Sequence, residues 1–414
     1  MILEVKQYVL RIRSFSRNAR LYLVATMLTG LSFGIWGTIF YLYLNLHETG
    51  FQPDFVGNMF TASGIATGVI ALPAGLLCER IGPKRAILIS LTSNLISLVQ
   101  IVTLQPSILL FASLTSGLIG TIGWVASAPF LTENSRQEER TYLFSIDWVI
   151  MTIMGVIGSY VGGAIPDIFN AALRLPIGEE GSATGYRITL IIAIALGLAA
   201  TGPMLLIKEK TMQRQKVDTL LSLKNIKSSS TIVKFMIPTG IIGFGAGFIV
   251  PLFSLFFKLK FAATSEQVGA IFALGNVTLG IFTFVAPILS NRLGKVKAVV
   301  ACQFLSMPFI MFVTLAPNLT LATSAYLIRG ALMNMAAPIS SALQMEMVAE
   351  SERATTSGLM VMADNIPRAI TASISGEMMT ISDFYTPFLF TTATYFVASS
   401  LYFVFFRKVE RGNN

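Results

Sequence analysis

Charge is scarce in this chain. Only 12% of its 414 residues are Asp, Glu, Lys or Arg, against roughly 25% in a soluble domain of average usage. Histidine occurs once, at His47, and cysteine twice, at Cys78 and Cys302. Each shortage closes off a class of chemistry. A surface so poor in charge does not have water as its main solvent. Two distant cysteines give no disulfide framework, and one histidine gives no His-rich metal cluster. The phosphate-cradling G-x-x-x-x-G-K-[ST] loop of an ATP-driven pump is missing, as is the membrane G-x-G-D pattern that an intramembrane enzyme would need. No cofactor is implied.

What is present is apolar, and it comes in long blocks. Hydrophobic residues make up 54% of the chain, and the mean hydropathy is +0.70. A helix needs about 20 mostly apolar residues to cross the hydrocarbon core, because unpaired backbone groups in lipid are costly. About twelve such stretches can be placed, at 21–46, 54–78, 84–105, 107–132, 142–166, 187–207, 231–257, 267–290, 298–316, 319–346, 355–380 and 384–406. The expected class is therefore an all-α membrane protein. Its parts are a tail (1–20), a six-helix bundle (21–207), a polar linker (208–230), a second six-helix bundle (231–406) and a short tail (407–414). The first apolar run is too long for a signal-peptide core and lacks a small-residue cleavage pattern, so it is expected to be retained.

Basic residues orient these spans. With the N-terminus inside, 24 of the 30 Lys and Arg fall in cytoplasmic segments, and only Arg174, Arg187, Lys258 and Lys260 fall outside. This positive-inside bias predicts a multi-pass protein of the cell membrane with both termini cytoplasmic. It also accounts for the net charge of +9 without a nucleic-acid partner. The lipid bilayer is the expected surrounding and a monomer the expected working unit.

The chain also repeats itself. Val56-Gly57 recurs as Val268-Gly269, and Arg80-Ile81-Gly82 as Arg292-Leu293-Gly294, both at a spacing of 212. Glu133 recurs as Glu346, Glu139-Arg140 as Glu352-Arg353 and Gly163 as Gly376, at 213. Repeats with an even number of helices share one orientation, which predicts parallel halves with the substrate site between them.

The strongest local motif is Gly75-Leu-Leu-Cys-Glu79-Arg80-Ile-Gly82-Pro-Lys84-Arg85, at the inner end of span two. Gly75 is expected to admit a neighbouring helix, Gly82 to take the positive-φ turn that ends a helix, and the basic residues to hold the loop at the interface. The string resembles the loop two-three signature of the major facilitator superfamily, G-x-x-x-[DE]-R-x-G-x-[RK]-[RK], and the six-plus-six layout extends that resemblance over essentially the whole chain. The second copy, Pro287 to Lys297, has lost the leading glycine and the acid, with Asn291 before Arg292. The resemblance implies that Glu79 and Arg80 help latch the cytoplasmic side; a charged turn that only sets topology is the plainer alternative.

Three further groups stand out. Gly155, Gly158, Gly162, Gly163 and Pro166 line span five. They look like a degenerate form of the antiporter motif of drug-exporting facilitators, although helix packing alone would use the same residues. Glu133, Arg140, Glu346 and Arg353 lie at inner helix ends, where salt bridges would close a cytoplasmic gate unless they are simply solvated. Charges near a helix centre cost at least about 2.5–3.5 kcal/mol on insertion scales, so those that persist usually face a cavity or a partner. Arg329 in span ten, with Asp364 and Arg368 one turn apart in span eleven, is expected to form a polar network that binds an anionic group or responds to protonation of Asp364. A self-neutralising structural pair is the alternative. Asp147 in span five is the weaker candidate, and Trp36, Tyr41, Trp124, Phe244 and Phe248 are candidate cavity-lining aromatics that would otherwise serve packing or lipid contact.

The expected function is secondary active transport of a small molecule by alternating access, with proton-coupled efflux of amphipathic, drug-like compounds (a multidrug antiporter) ahead of uptake or exchange of a nutrient or anionic metabolite. A transport-inactive sensor of the same fold is a further alternative. Against the proton-coupled exporters, span four has no arginine in Leu114 to Gly120, and span one has no intramembrane acid.

Overall fold

The computed structural model describes residues 15–177, 182–208, 228–283, 285–349 and 352–407. The polar core of the linker, most of the N-terminal tail and the end of the C-terminal tail lie outside the described residues, as do the side chains of Glu79, Arg140 and Arg353. The described chain is helical throughout its elements: α1 (Arg17–Leu44), α2 (Pro53–Ile81), α3 (Pro83–Leu91), α4 (Ser93–Thr103), α5 (Pro106–Glu133), α6 (Gln137–Ala172), α7 (Ala183–Ala199), α8 (Thr201–Leu205), α9 (Ser229–Gly247), α10 (Phe253–Phe261), α11 (Ser265–Thr283), α12 (Ala286–Leu293), α13 (Lys295–Leu315), α14 (Leu319–Met347), α15 (Arg353–Thr380) and α16 (Thr386–Phe406).

Local chemistry explains where these helices start and stop. Ser16 and Asn318 accept hydrogen bonds from the first-turn amides of α1 and α14, and proline opens α2, α3 and α5, where its missing N–H costs nothing. Between α3 and α4, Ser90 and Thr92 bond back to the carbonyls of Ile87 and Ile89, which accompanies the break there. Gly82 and Gly294, 212 residues apart, end α2 and α12 with φ of +92° and +83°. Their amides close the last turn on Cys78 and Ser290, a conformation that side-chain-bearing residues rarely adopt.

Eight helical stretches among the described residues are long and apolar enough to cross a membrane: 17–44, 83–103, 106–133, 143–172, 183–205, 229–247, 295–315 and 386–406. The other four expected spans are helical too, in α2, α11 with α12, α14 and α15. Of these, α14 and α15 carry the charges Arg329, Asp364 and Arg368 described below.

Three apolar clusters organise the packing. One gathers residues of both halves around Ile39, Tyr43, Phe256, Phe257 and Phe388, at the end of the bundle away from the termini (the far end). The other two belong to single halves, around Phe130, Ala126 and Met204 in the first and Phe235, Val299 and Phe406 in the second, at the end that bears the termini (the near end). The halves thus share one core at the far end and keep separate cores at the near end.

Candidate functional site

The contact between halves is built from small residues, and it is repeated. A Cβ added at Gly57 on α2 would lie 2.4 Å from the carbonyl oxygen of Ala372 on α15, and one at Gly269 on α11 would lie 2.6 Å from that of Ser159 on α6. Gly376 approaches Pro53 in the same way, at 2.4 Å, and Gly163 approaches Ser265, at 2.5 Å. Position 269 repeats 57 at the offset of 212, and 372 repeats 159 at 213, so the sequence repeat is also a repeat of the seam. Along α2 and α15, Thr61 Oγ1 donates to the Ala369 carbonyl at 2.6 Å and Ser373 bonds Asn58. Lys258 Nζ adds a bond to the Asn45 carbonyl at 2.8 Å. None of these polar contacts stands out in the sequence; the recurring glycines are the signal that leads to them.

The expected polar network divides in two. Asp364 and Arg368 pair through two carboxylate oxygens, Nη2 lying 2.7 Å from Oδ1 and 2.8 Å from Oδ2. Both are half-buried, and α15 places them one turn apart beside Pro367. Arg329 does not join them. Only 6% exposed, it donates from Nη2 to the Tyr395 hydroxyl on α16 at 3.1 Å and stacks near the rings of Phe253 and Tyr395. Its Nε is buried without a hydrogen-bond partner. Tyr395 also lies within electrostatic reach of Arg368, and nothing in its sequence context marks it.

Asp147 on α6 accepts a hydrogen bond from Thr26 Oγ1 on α1 at 2.8 Å. The glycine stripe of α6 serves two neighbours: a Cβ at Gly158 or Gly162 would meet Leu31 or Ile35 of α1, whereas Gly163 faces α11. Gly155 has open space at its own Cβ, but its carbonyl lies against Gly34, and the Pro166 carbonyl lies against Gly185. Among the described residues, nothing lies within 4 Å of the Gly75 Cβ position. Lys84 ties the start of α3 to the end of α8 by donating to the Ile207 carbonyl at 2.6 Å; Arg80 and Arg85 are exposed. Glu346 pairs with Lys295 inside its own half, and Glu133 is half-buried.

The aromatic candidates also separate. Phe248 is 3% exposed and stacks on Phe390, so it is packing material and not a cavity wall. Trp36 stacks on Phe40, and Tyr41 on Phe60 of α2. Trp124, 67% exposed, is followed on the same helix by exposed Ala128, and on α14 Asn334, Pro338 and Ser341 form a comparable exposed row. Phe244 helps line an apolar groove of about 500 Å³ with Gly240, Pro367 and Thr394; this groove lies among α9, α15 and α16, not between the halves.

Parallel helical repeats joined by a glycine seam, with charged side chains inside their helices, define a polytopic membrane protein of the transporter type. The chain belongs to the Major Facilitator Superfamily, whose family model matches it over residues 22–235 and again over 235–414. No curated protein sequence matches it. Solved structures with the same fold include a mutant of the nucleoside transporter NupG (16% identity, covering 94% of this chain and 100% of that one, TM-score 0.75). A bacterial homolog of the human lysosomal transporter Spinster, inward-facing and occupied, matches at 12% identity (93% and 95% covered, TM-score 0.72). A bacterial homologue of the iron transporter ferroportin, also inward-facing, matches at 14% (93% and 98% covered, TM-score 0.71).

Proposed function

We propose that this protein is a secondary active transporter that moves a small amphipathic molecule between its two halves, driven by an ion gradient, with proton-coupled efflux as the leading direction. The observation that carries this reading is the placement of contacts. The seam of Gly57, Gly163, Gly269 and Gly376 joins the halves at the far end, while each half keeps its own apolar core at the near end. Such an arrangement suits rocking of one rigid bundle on the other around a midplane site. In this reading the chain has twelve spans with both termini cytoplasmic, and the described state opens to the cytoplasm.

The substrate site lies between Asp364 with Arg368 and the exposed rows of α5 and α14. Its walls are mostly apolar with one ion pair, which favours an amphipathic substrate. A second reading, transport of an anionic metabolite, is favoured by one specific feature: Arg329 is buried with no carboxylate against it among the described residues. The test is flux into proteoliposomes over a panel of lipophilic cations, neutral amphiphiles and organic anions, with and without a proton gradient. Gradient-dependent movement of lipophilic compounds supports the first reading. Preference for anions selects the second, and absence of flux for the whole panel points to a sensor.

A further inference from the structure

Membrane-embedded charge is unevenly shared between the halves. In the C-terminal half Asp364 already has its counter-charge, and a proton taken up there would strand the Arg368 guanidinium. In the N-terminal half Asp147 has no basic side chain against it among the described residues; its hydrogen-bond partner is Thr26. From α1 the groups facing it are Thr26 and Tyr22; on α5 the Ser127 hydroxyl, near Tyr22, donates to the Trp124 carbonyl at 2.8 Å. The other helices packed on α6, α7 and α11, carry Arg187 and Glu266 near their starts, at the far end. Arg17 and Arg20 on α1, Glu133 on α5 and Glu139 on α6 lie towards the near end.

A lone carboxylate bonded to a hydroxyl has a property that a salt-bridged one lacks. Each hydroxyl rotates and can either donate or accept. Thr26 donates to the carboxylate, and the same oxygen can accept from the carboxylic acid, so both protonation states find partners without a helix moving. Asp147 is half-buried, on the near-end side where the two cores part. Ionisable groups kept inside a membrane without a counter-charge usually mark an ion path.

We propose that Asp147, held by Thr26 between α1 and α6 with Tyr22 nearby, is the carboxyl group that takes up and releases the coupling proton. This rests on the transport reading above and adds the ion's address to it. The step is a simple transfer: a proton moves from far-side water onto a carboxylate oxygen of Asp147, neutralises it, and leaves when that oxygen meets water on the near side.

Two measurements on the reconstituted full-length protein test this. In an infrared pH titration the wild type should show a carboxylic C=O band that comes and goes with pH. Asp147→Asn should lose it, Asp364→Asn should keep it, and Asp147→Glu should restore it at a shifted frequency. Thr26→Val should move the midpoint by about one pH unit, the weight of one hydrogen bond to a charged group, while Thr26→Ser leaves it in place. A band that survives in Asp147→Asn, or that vanishes on replacing choline chloride by sodium chloride at fixed pH, overturns the proposal, the latter in favour of a sodium site. In transport, Asp147→Asn should retain substrate exchange but lose accumulation against a gradient at least tenfold. Unchanged accumulation in that variant overturns the coupling role alone, whereas a wild type without any gradient-driven flux overturns the transport reading as well.

Discussion

Gly57 rests so closely on Ala372 that a Cβ at position 57 would lie 2.4 Å from the neighbouring carbonyl oxygen. Backbone cannot give way as a flexible side chain can, so Gly57→Ala should open the seam. Overpacking of this kind costs about 1–3 kcal/mol, and here the cost falls only on the state in which the far ends touch. The expected result is a shift of roughly 5- to 150-fold towards the far-side-open state. Maleimide labelling of a cysteine placed at Ser373 measures it. Gly269→Ala should act alike through Ser159; unchanged labelling in both variants would mean that the seam is not the moving contact.

The ion pair of Asp364 and Arg368 should behave as a unit. Neutralising either partner leaves a lone charge in a low-dielectric setting, at a cost of about 1–3 kcal/mol, below the 3–5 of a fully buried pair because both side chains keep partial exposure. Neutralising both leaves neither. Melting of the purified protein in detergent should therefore show Asp364→Asn and Arg368→Gln each less stable than the double variant, and additive losses would contradict a pair acting as one element.

Asp383 supplies a check at a helix start outside the spans. Its Oδ1 accepts the amides of Tyr385 and Thr386 at 3.1 and 2.9 Å, capping α16. The Thr386 side chain and amide hold its carboxyl below the ordinary value of 3.8. A carboxylate with a depressed folded value contributes stability above the unfolded value, and that contribution disappears as pH falls through the folded one. Stability should thus gain an acid-labile component below about pH 4, absent in Asp383→Asn, while Asp383→Ala should lose about 0.5–2 kcal/mol at neutral pH. Melting curves of the three proteins between pH 3 and 7 decide it.

Much of this fold is legible in the sequence, for physical reasons that differ by element. Apolar blocks announce α1, α5 and α13 because lipid demands them, and the repeat announces the seam because close backbone approach tolerates little besides glycine at Gly57 and Gly269. Gly82 and Gly294 likewise carry their turn in their identity. The site is less legible. Asp364 and Arg368 meet because one turn of helix separates them, a local fact, whereas the partner of Arg329 comes from α16, 66 residues away, and that of Asp147 from α1, 121 residues away. Neither Tyr395 nor Thr26 has a pattern that marks it, since tyrosine and threonine are ordinary inside membrane helices. Phe248 and Trp124 are alike in sequence and differ in exposure because only the packing of neighbouring helices decides which face is covered.

Arg329 provides the sharpest separation of stability from function. A guanidinium taken out of water with one hydrogen bond and two aromatic neighbours recovers little of its desolvation cost, and replacing buried ions by apolar side chains of similar volume is often neutral or stabilising by about 1–4 kcal/mol. Arg329→Met should accordingly melt no lower than the wild type. If the charge is kept for an anionic group of the substrate, the same variant should lose transport of anionic compounds at least tenfold while sparing neutral ones. The wild type should also be stabilised by a transported organic anion, by about 2.7 kcal/mol at a hundred times its Kd, and the variant should not. A lower melting point in Arg329→Met with transport intact would reverse the assignment, making the arginine a brace for α16 through Tyr395; Tyr395→Phe would then reproduce the loss, because removing the hydroxyl breaks the same bond.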